Sequence, residues 1–135
     1  MTPNEASRIV IGAAMRVHTA LGAGVLESAY SSCLCYEFAK AGLRFEHEVH
    51  LPIVYDGVEI PKAYRVDFIV ETCLIVELKC VERVLAVHLA QLLSYLKLTG
   101  RKLGLLLNFN VPHMRDGIHR KVNGREWELD EIVSL

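Results

Sequence analysis

Apolar and polar positions follow two different periods along the chain, and the switches between them mark its elements. Thr2-Pro3-Asn4-Glu5 reads as a helix start, with Thr2 as cap, Pro3 at the first helical position and Glu5 able to reach back. Ile9, Ala13, Val17 and Leu21 then recur every four residues, Arg8 and Arg16 lie off that stripe, and Gly22-Ala23-Gly24 ends the helix. A second helix is predicted from about Val25 to Lys40, burying Leu26, Ala29, Tyr30, Cys33, Leu34 and Phe38 and stopped by Gly42. Arg44 to Tyr55 is strand-like, and Pro52 within it argues for an edge strand or a bulge. Asp56-Gly57 is a hairpin turn into Val58 to Ile60. Beyond Cys80 to Arg83, a connector, a helix runs from about Val84 to Leu98 and stops at Gly100. Its apolar residues go nearly all the way round, which predicts packing on several sides. Lys102 to Phe109 reads as a continuous apolar strand covered on both faces. Strand, helix and strand in succession predict a right-handed crossover and parallel pairing of Cys73–Lys79 with Leu103–Phe109. Asp116-Gly117 suggests a turn and Ile118 to Val122 a short strand.

The stretch Tyr64 to Lys79, YRVDFIVETCLIVELK, places charges in otherwise apolar strands. Counting by twos, Ile75, Glu77 and Lys79 share one face, and Leu74, Val76 and Leu78 share the other. A three-residue loop at Glu71, Thr72 and Cys73 sets Val70 against Leu74 and therefore Asp67 against Glu77. Two carboxylates so close repel, more strongly in an apolar setting, and a divalent cation between them resolves the conflict.

Composition narrows the classes without choosing one. With 135 residues the chain is expected to form a single domain over 1–135 with a real core. The hydrophobic share, 52%, sits slightly above the globular norm, so part of the apolar surface is available to another subunit in a homo-oligomer. A formal net charge of −1 gives nucleic-acid binding no support from total charge and leaves only a local basic patch to provide it. No apolar run is long enough to span a bilayer, and MTPNEAS lacks the regions of a signal peptide, so a cytoplasmic location without membrane partners is expected. Cys33, Cys35, Cys73 and Cys80 show no CxxC spacing and read as free thiols.

Other charged and polar residues each admit a plain explanation. Glu27, in the first turn of a helix, favourably meets the helix dipole, which is the account local sequence favours; alternatively it points inward to the cation of Asp67 and Glu77. His47 and His50 are three apart, fall on opposite faces of a strand and cannot share an ion there. His88, Gln91 and Tyr95 share one helix face, where they either bond to neighbouring loops or look toward the Asp67–Lys79 cluster. Arg115, His119, Arg120, Lys121 and Arg125 form the most basic stretch, the best local candidate for nucleic-acid phosphate contacts.

Gly24-Val25-Leu26-Glu27-Ser28-Ala29-Tyr30 matches the motif of the GxxExxY proteins, and the likeness extends roughly from Ile9 to Lys121. That group resembles the PD-(D/E)XK nuclease superfamily. Asp67 matches its strand acid, Glu77-Leu78-Lys79 its (D/E)XK element, and Gln91 to Tyr95 the QxxxY signature of its RecB-like branch; the proline before the first acid is Val66 here. The resemblance implies an α/β (α+β) restriction-endonuclease-like core, a mixed central β-sheet flanked by α-helices. It implies a nuclease using Mg²⁺ or Mn²⁺ on nucleic acid, DNA foremost. Asp67, Glu77, the Leu78 carbonyl and Glu27 would supply oxygen ligands. Lys79 would orient the attacking water or stabilise the phosphorus centre, and Gln91 and Tyr95 would position water or the substrate backbone. Two other classes stay open: a catalytically inactive nucleic-acid-binding or oligomeric scaffold, and a Glu77–Lys79 ion pair that only fixes strand register.

Overall fold

In a computed structural model, described over residues 1–131, five strands form one sheet in the order β1-β2-β3-β4-β5. The last four residues of the expected 1–135 domain lie outside the described residues. Helices α1 (Pro3–Leu21) and α2 (Glu27–Lys40) precede β1 (Phe45–Tyr55), β2 (Val58–Val70) and β3 (Leu74–Lys79). Helix α3 (Ala86–Thr99) then joins β3 to β4 (Leu103–Asn108), and β5 (Ile118–Val122) completes the sheet. β3 and β4 pair in parallel and every other pair is antiparallel, a mixed sheet with helices on both sides.

Local chemistry sets the ends of these elements. Thr2 Oγ1 accepts the Glu5 amide at 3.1 Å and caps α1. Asp56 and Gly57 both take left-handed φ angles, 52° and 74°, as a two-residue hairpin requires. Pro52 coincides with a register shift between Leu51 and Ile53 on the edge strand β1. β4 is buried at every position, as a central strand should be.

Two cores sit on opposite faces of the sheet. Phe68, Val70, Leu74, Val76, Leu78 and Leu105 pack with Val10, Ala13 and Val17 of α1 and with Tyr30, Leu34 and Phe38 of α2. Val66, Ile69, Ile75 and Leu106 pack with Leu92, Tyr95 and Leu96 of α3. Gly104 lets α3 approach closely, since a Cβ there would lie 2.8 Å from Leu92 Cδ1.

Three packing expectations need correction. α3 buries only Leu92, Tyr95 and Leu96 and leaves Leu85, Val87 and Leu98 exposed, because the sheet covers one side of it and nothing among the described residues covers the other. Leu26, expected inside, is the residue before α2 and is 76% exposed. Leu21, at the last turn of α1, is exposed too, and the buried stripe of that helix runs through Ala6, Val10, Ala13, Ala14 and Val17.

The alternation of faces breaks at one place in the β1–β2 ribbon. Val66 and Phe68 are two apart yet belong to opposite cores, and so do Val49 and Phe45 on the partner strand. Between them lie Asp67 and Glu48, and Glu48 has a left-handed φ of 56°. A non-glycine residue enters that region at a steric cost. The ribbon therefore turns over at Asp67.

Candidate active site

β2 and β3 are laddered from Val70↔Leu74 to Phe68↔Val76, and the ladder gives way at the next position, Asp67 and Glu77. Side chains replace it. The Asp67 amide donates to Glu77 Oε1 at 2.8 Å, and the Leu78 amide donates to Asp67 Oδ2 at 2.7 Å. Each carboxyl group thus accepts a hydrogen bond from the backbone beside the other, which locks the pair across the opened strands. The expected register holds, with Val70 opposite Leu74.

Electrostatics follow from this placement. Glu77 is buried; burial first, then the Asp67 charge, push its carboxyl up to about 8, against the Asp67 amide, Lys79 and Arg65. Glu27 is raised by burial and by Asp67, with Lys79 and Arg65 opposing. The Tyr95 hydroxyl is raised by burial, Glu77, Asp67 and Tyr64. Three acids, two cations and a phenol from β2, β3, α2 and α3 therefore share one field.

Glu27 and Asp67 meet across a cavity of about 240 Å³, which Ser31, His47, Arg65 and Leu78 also line. The dipole account of Glu27 is compatible with this position, but its side chain lines the same cavity as Asp67. Tyr30 holds the start of α2 there: its ring stacks on Phe109 at 4.5 Å, and its hydroxyl donates to the Gly22 carbonyl and accepts the Val25 amide. Tyr95 is buried on α3, edge-on to Tyr64 at 5.6 Å. Gln91, one turn earlier, is exposed. His88 turns away to accept the Leu85 amide.

The basic stretch is split up. His119, Arg120 and Lys121 lie on β5, separated from β3 by β4. Arg120 is held by Glu126 at 2.9 Å and by Asn4 at 3.1 Å. Arg115 is solvent-exposed, 4.0 Å from Asp116. The cysteines are all free, and only Cys73 is fully buried.

Sequence reasoning missed three residues. Arg65, half-exposed, stands 3.9 Å from Asp67 Oδ1. His47 stacks on Phe68 at 4.5 Å, with Nε2 2.8 Å from Ser31 Oγ. Nothing in the local pattern set either apart from a solvated strand residue; the turnover at Glu48 and Asp67 brings them to the cavity. Asn108 is buried, with Oδ1 accepting the Val81 amide at 3.1 Å and Nδ2 donating to the Val81 carbonyl at 2.9 Å. It pins the segment leaving Lys79, its neighbour across the β3–β4 ladder. A lone asparagine ending an apolar strand was the available signal.

The donors fit a hard divalent ion by chemistry, since Asp67, Glu77 and Glu27 offer only oxygen. Among the described residues, however, no three His, Cys, Asp or Glu side chains are gathered into ligating geometry. The backbone amides of Asp67 and Leu78 occupy one oxygen of each paired carboxylate and leave the other for a ligand. No curated protein and no solved structure matches the chain significantly. A family model of the PD-(D/E)XK nuclease superfamily matches residues 4–121. That span covers most of the chain and contains both strand acids, the lysine and the mixed sheet that presents them, and the chain belongs to the PD-(D/E)XK nuclease superfamily.

Proposed function

We propose that this chain is a divalent-metal-dependent nuclease that hydrolyses phosphodiester bonds, with DNA as its substrate and Mg²⁺ or Mn²⁺ as its ion. The carrying observation is the opened β2–β3 ladder, where Asp67 and Glu77 interlock through backbone amides within the field of Lys79 and Arg65. A pair of acids so buried is costly unless a cation or a proton offsets it. Asp67, Glu77, Glu27 and the Leu78 carbonyl would hold the ion. When bound, it supplies Lewis acidity toward water and phosphate oxygens.

The chain's own groups account for the rest. Lys79 stabilises charge that develops on the phosphate in the transition state. Arg65 offers a guanidinium to the non-bridging oxygens and offsets the repulsion between phosphate and carboxylates. Tyr95 presents its hydroxyl from the α3 side, and the exposed Gln91 is available to water or the substrate backbone. His119, Arg120 and Lys121 lie two strands from β3 and serve flanking phosphate contacts, with Arg120 first having to leave Glu126. The GxxExxY and QxxxY motifs support placement in those branches of the superfamily.

A second reading, an inactive nucleic-acid-binding or oligomeric scaffold, draws on the amides that already hold one oxygen each of Asp67 and Glu77. One comparison separates the two. Purified parent and Glu77→Ala are incubated with single-stranded, duplex and branched DNA and with RNA, in Mn²⁺ or in chelator. Metal-dependent cleavage by the parent, lost in the folded variant, is expected. Cleavage by both alike would move the chemistry elsewhere, and cleavage by neither, without Asp67-dependent uptake of Mn²⁺, would favour the scaffold.

A further inference from the structure

A second, larger concavity of about 640 Å³ lies at the C-terminal end of α1. It falls within the size range of ligand sites. Arg115, His113, His18, Thr19 and Gly22 line it, and among the described residues no carboxylate does. Asp116 stands 4.0 Å from Arg115, but with both side chains mostly exposed the pair is loose and exchangeable. The contrast with the acid-rich cavity at Asp67 is plain.

Phe109 stands between the two. Its amide donates to the Lys79 carbonyl at 3.0 Å, its ring stacks on Tyr30, and the His18 ring lies 6.3 Å away on the groove side. His18 Nε2 lies 2.8 Å from the Val111 carbonyl, which fixes the start of the loop carrying His113 and Arg115. On the opposite wall Gly22 is tied to Tyr30, and the same short loop continues to Glu27 at the carboxylate cavity. The groove and the reacting site are thus linked through the buried Phe109, which packs against both His18 and Tyr30, and along the chain through the Gly22–Glu27 loop.

We propose that this groove binds the sugar–phosphate backbone of the nucleic-acid strand beside the scissile bond, with Arg115 and His113 as its phosphate-binding side chains. The inference deepens the nuclease reading and rests on it for the direction of the strand. At the cavity lined by Glu27, Glu48 and Asp67 the donor beside the acids is Arg65. A strand that leaves it along the Gly22–Glu27 loop comes to the groove, whose described lining residues add donors and no acid. The basic stretch is thereby divided: Arg115 faces the path, whereas Arg120 is engaged with Glu126 and Asn4.

The test measures binding and cleavage separately. Fluorescein-labelled single-stranded DNA, its RNA counterpart and duplex DNA are titrated in chelator with the parent, Arg115→Lys, Arg115→Glu and the His113→Ala/Arg115→Ala double variant. These side chains are exposed, and circular dichroism verifies the fold. The neutral variant should bind several-fold more weakly, with a salt slope shallower by about 0.7 for each phosphate of a single strand that it no longer neutralises. Arg115→Lys should retain most of the affinity and Arg115→Glu should lose more. Parent-like affinity and slope in the double variant and in Arg115→Glu would overturn the proposal. Cleavage in Mn²⁺ then separates the two claims: parent-like binding by the variants alongside cleavage removes the groove and leaves the nuclease, whereas weakened binding without any cleavage removes the nuclease and leaves the groove.

Discussion

Glu77→Gln removes a buried titrating carboxyl from beside Asp67 and keeps a carbonyl oxygen for the Asp67 amide. The parent carboxyl is 7% exposed, and burial with the Asp67 charge raises it from 4.5 to about 8. The folded chain therefore holds this proton more tightly than the unfolded chain. Stability from the group is fully present below pH 4.5 and is lost as pH rises toward 8. The loss runs at up to about 1.4 kcal/mol per pH unit and reaches about 3 kcal/mol at pH 7. Glutamine does not ionise and escapes it. Urea unfolding of parent and variant at a series of pH values, in chelator, isolates the effect, because other titrating groups largely cancel in the difference. The difference should be flat in acid and widen in favour of glutamine toward pH 8. Mg²⁺ should then stabilise the parent by mass action and the variant little. Parallel pH profiles would refute the claim that Glu77 is ionised only at a cost, and with it the case for a cation at this position.

Further substitutions probe the supports of the site. Asn108→Ala strands the Val81 amide and carbonyl, and should cost about 1–3 kcal/mol by urea denaturation while lowering cleavage through a displaced Lys79 segment. An unchanged midpoint would mean that water replaces the side chain. Tyr95→Phe keeps the packing on Tyr64 and removes only the hydroxyl near Glu77, so unfolding should shift by less than about 1 kcal/mol while kcat falls and KM holds. Equal kcat in parent and variant would leave Tyr95 a packing residue.

The elements and the carboxylate register were legible in the sequence because both depend on neighbours along the chain. Alternation, the three-residue loop at Glu71–Cys73 and the apolar run of β4 dictate that Asp67 stands opposite Glu77 and that β4 lies beside β3. The one-sided packing of α3 was not legible, because its all-round apolar surface says nothing of how much cover the sheet provides. Glu27 likewise reads as a dipole partner until Tyr30 packs on Phe109 and carries the start of α2 over Asp67. Arg65 and His47 join the cavity only because the ribbon turns over at Glu48 and Asp67, a break in the alternation that sequence patterns assume. Periodicity reports which residues share a face within an element. Which faces meet, and where a strand reverses its own, was decided by packing between segments far apart in the chain.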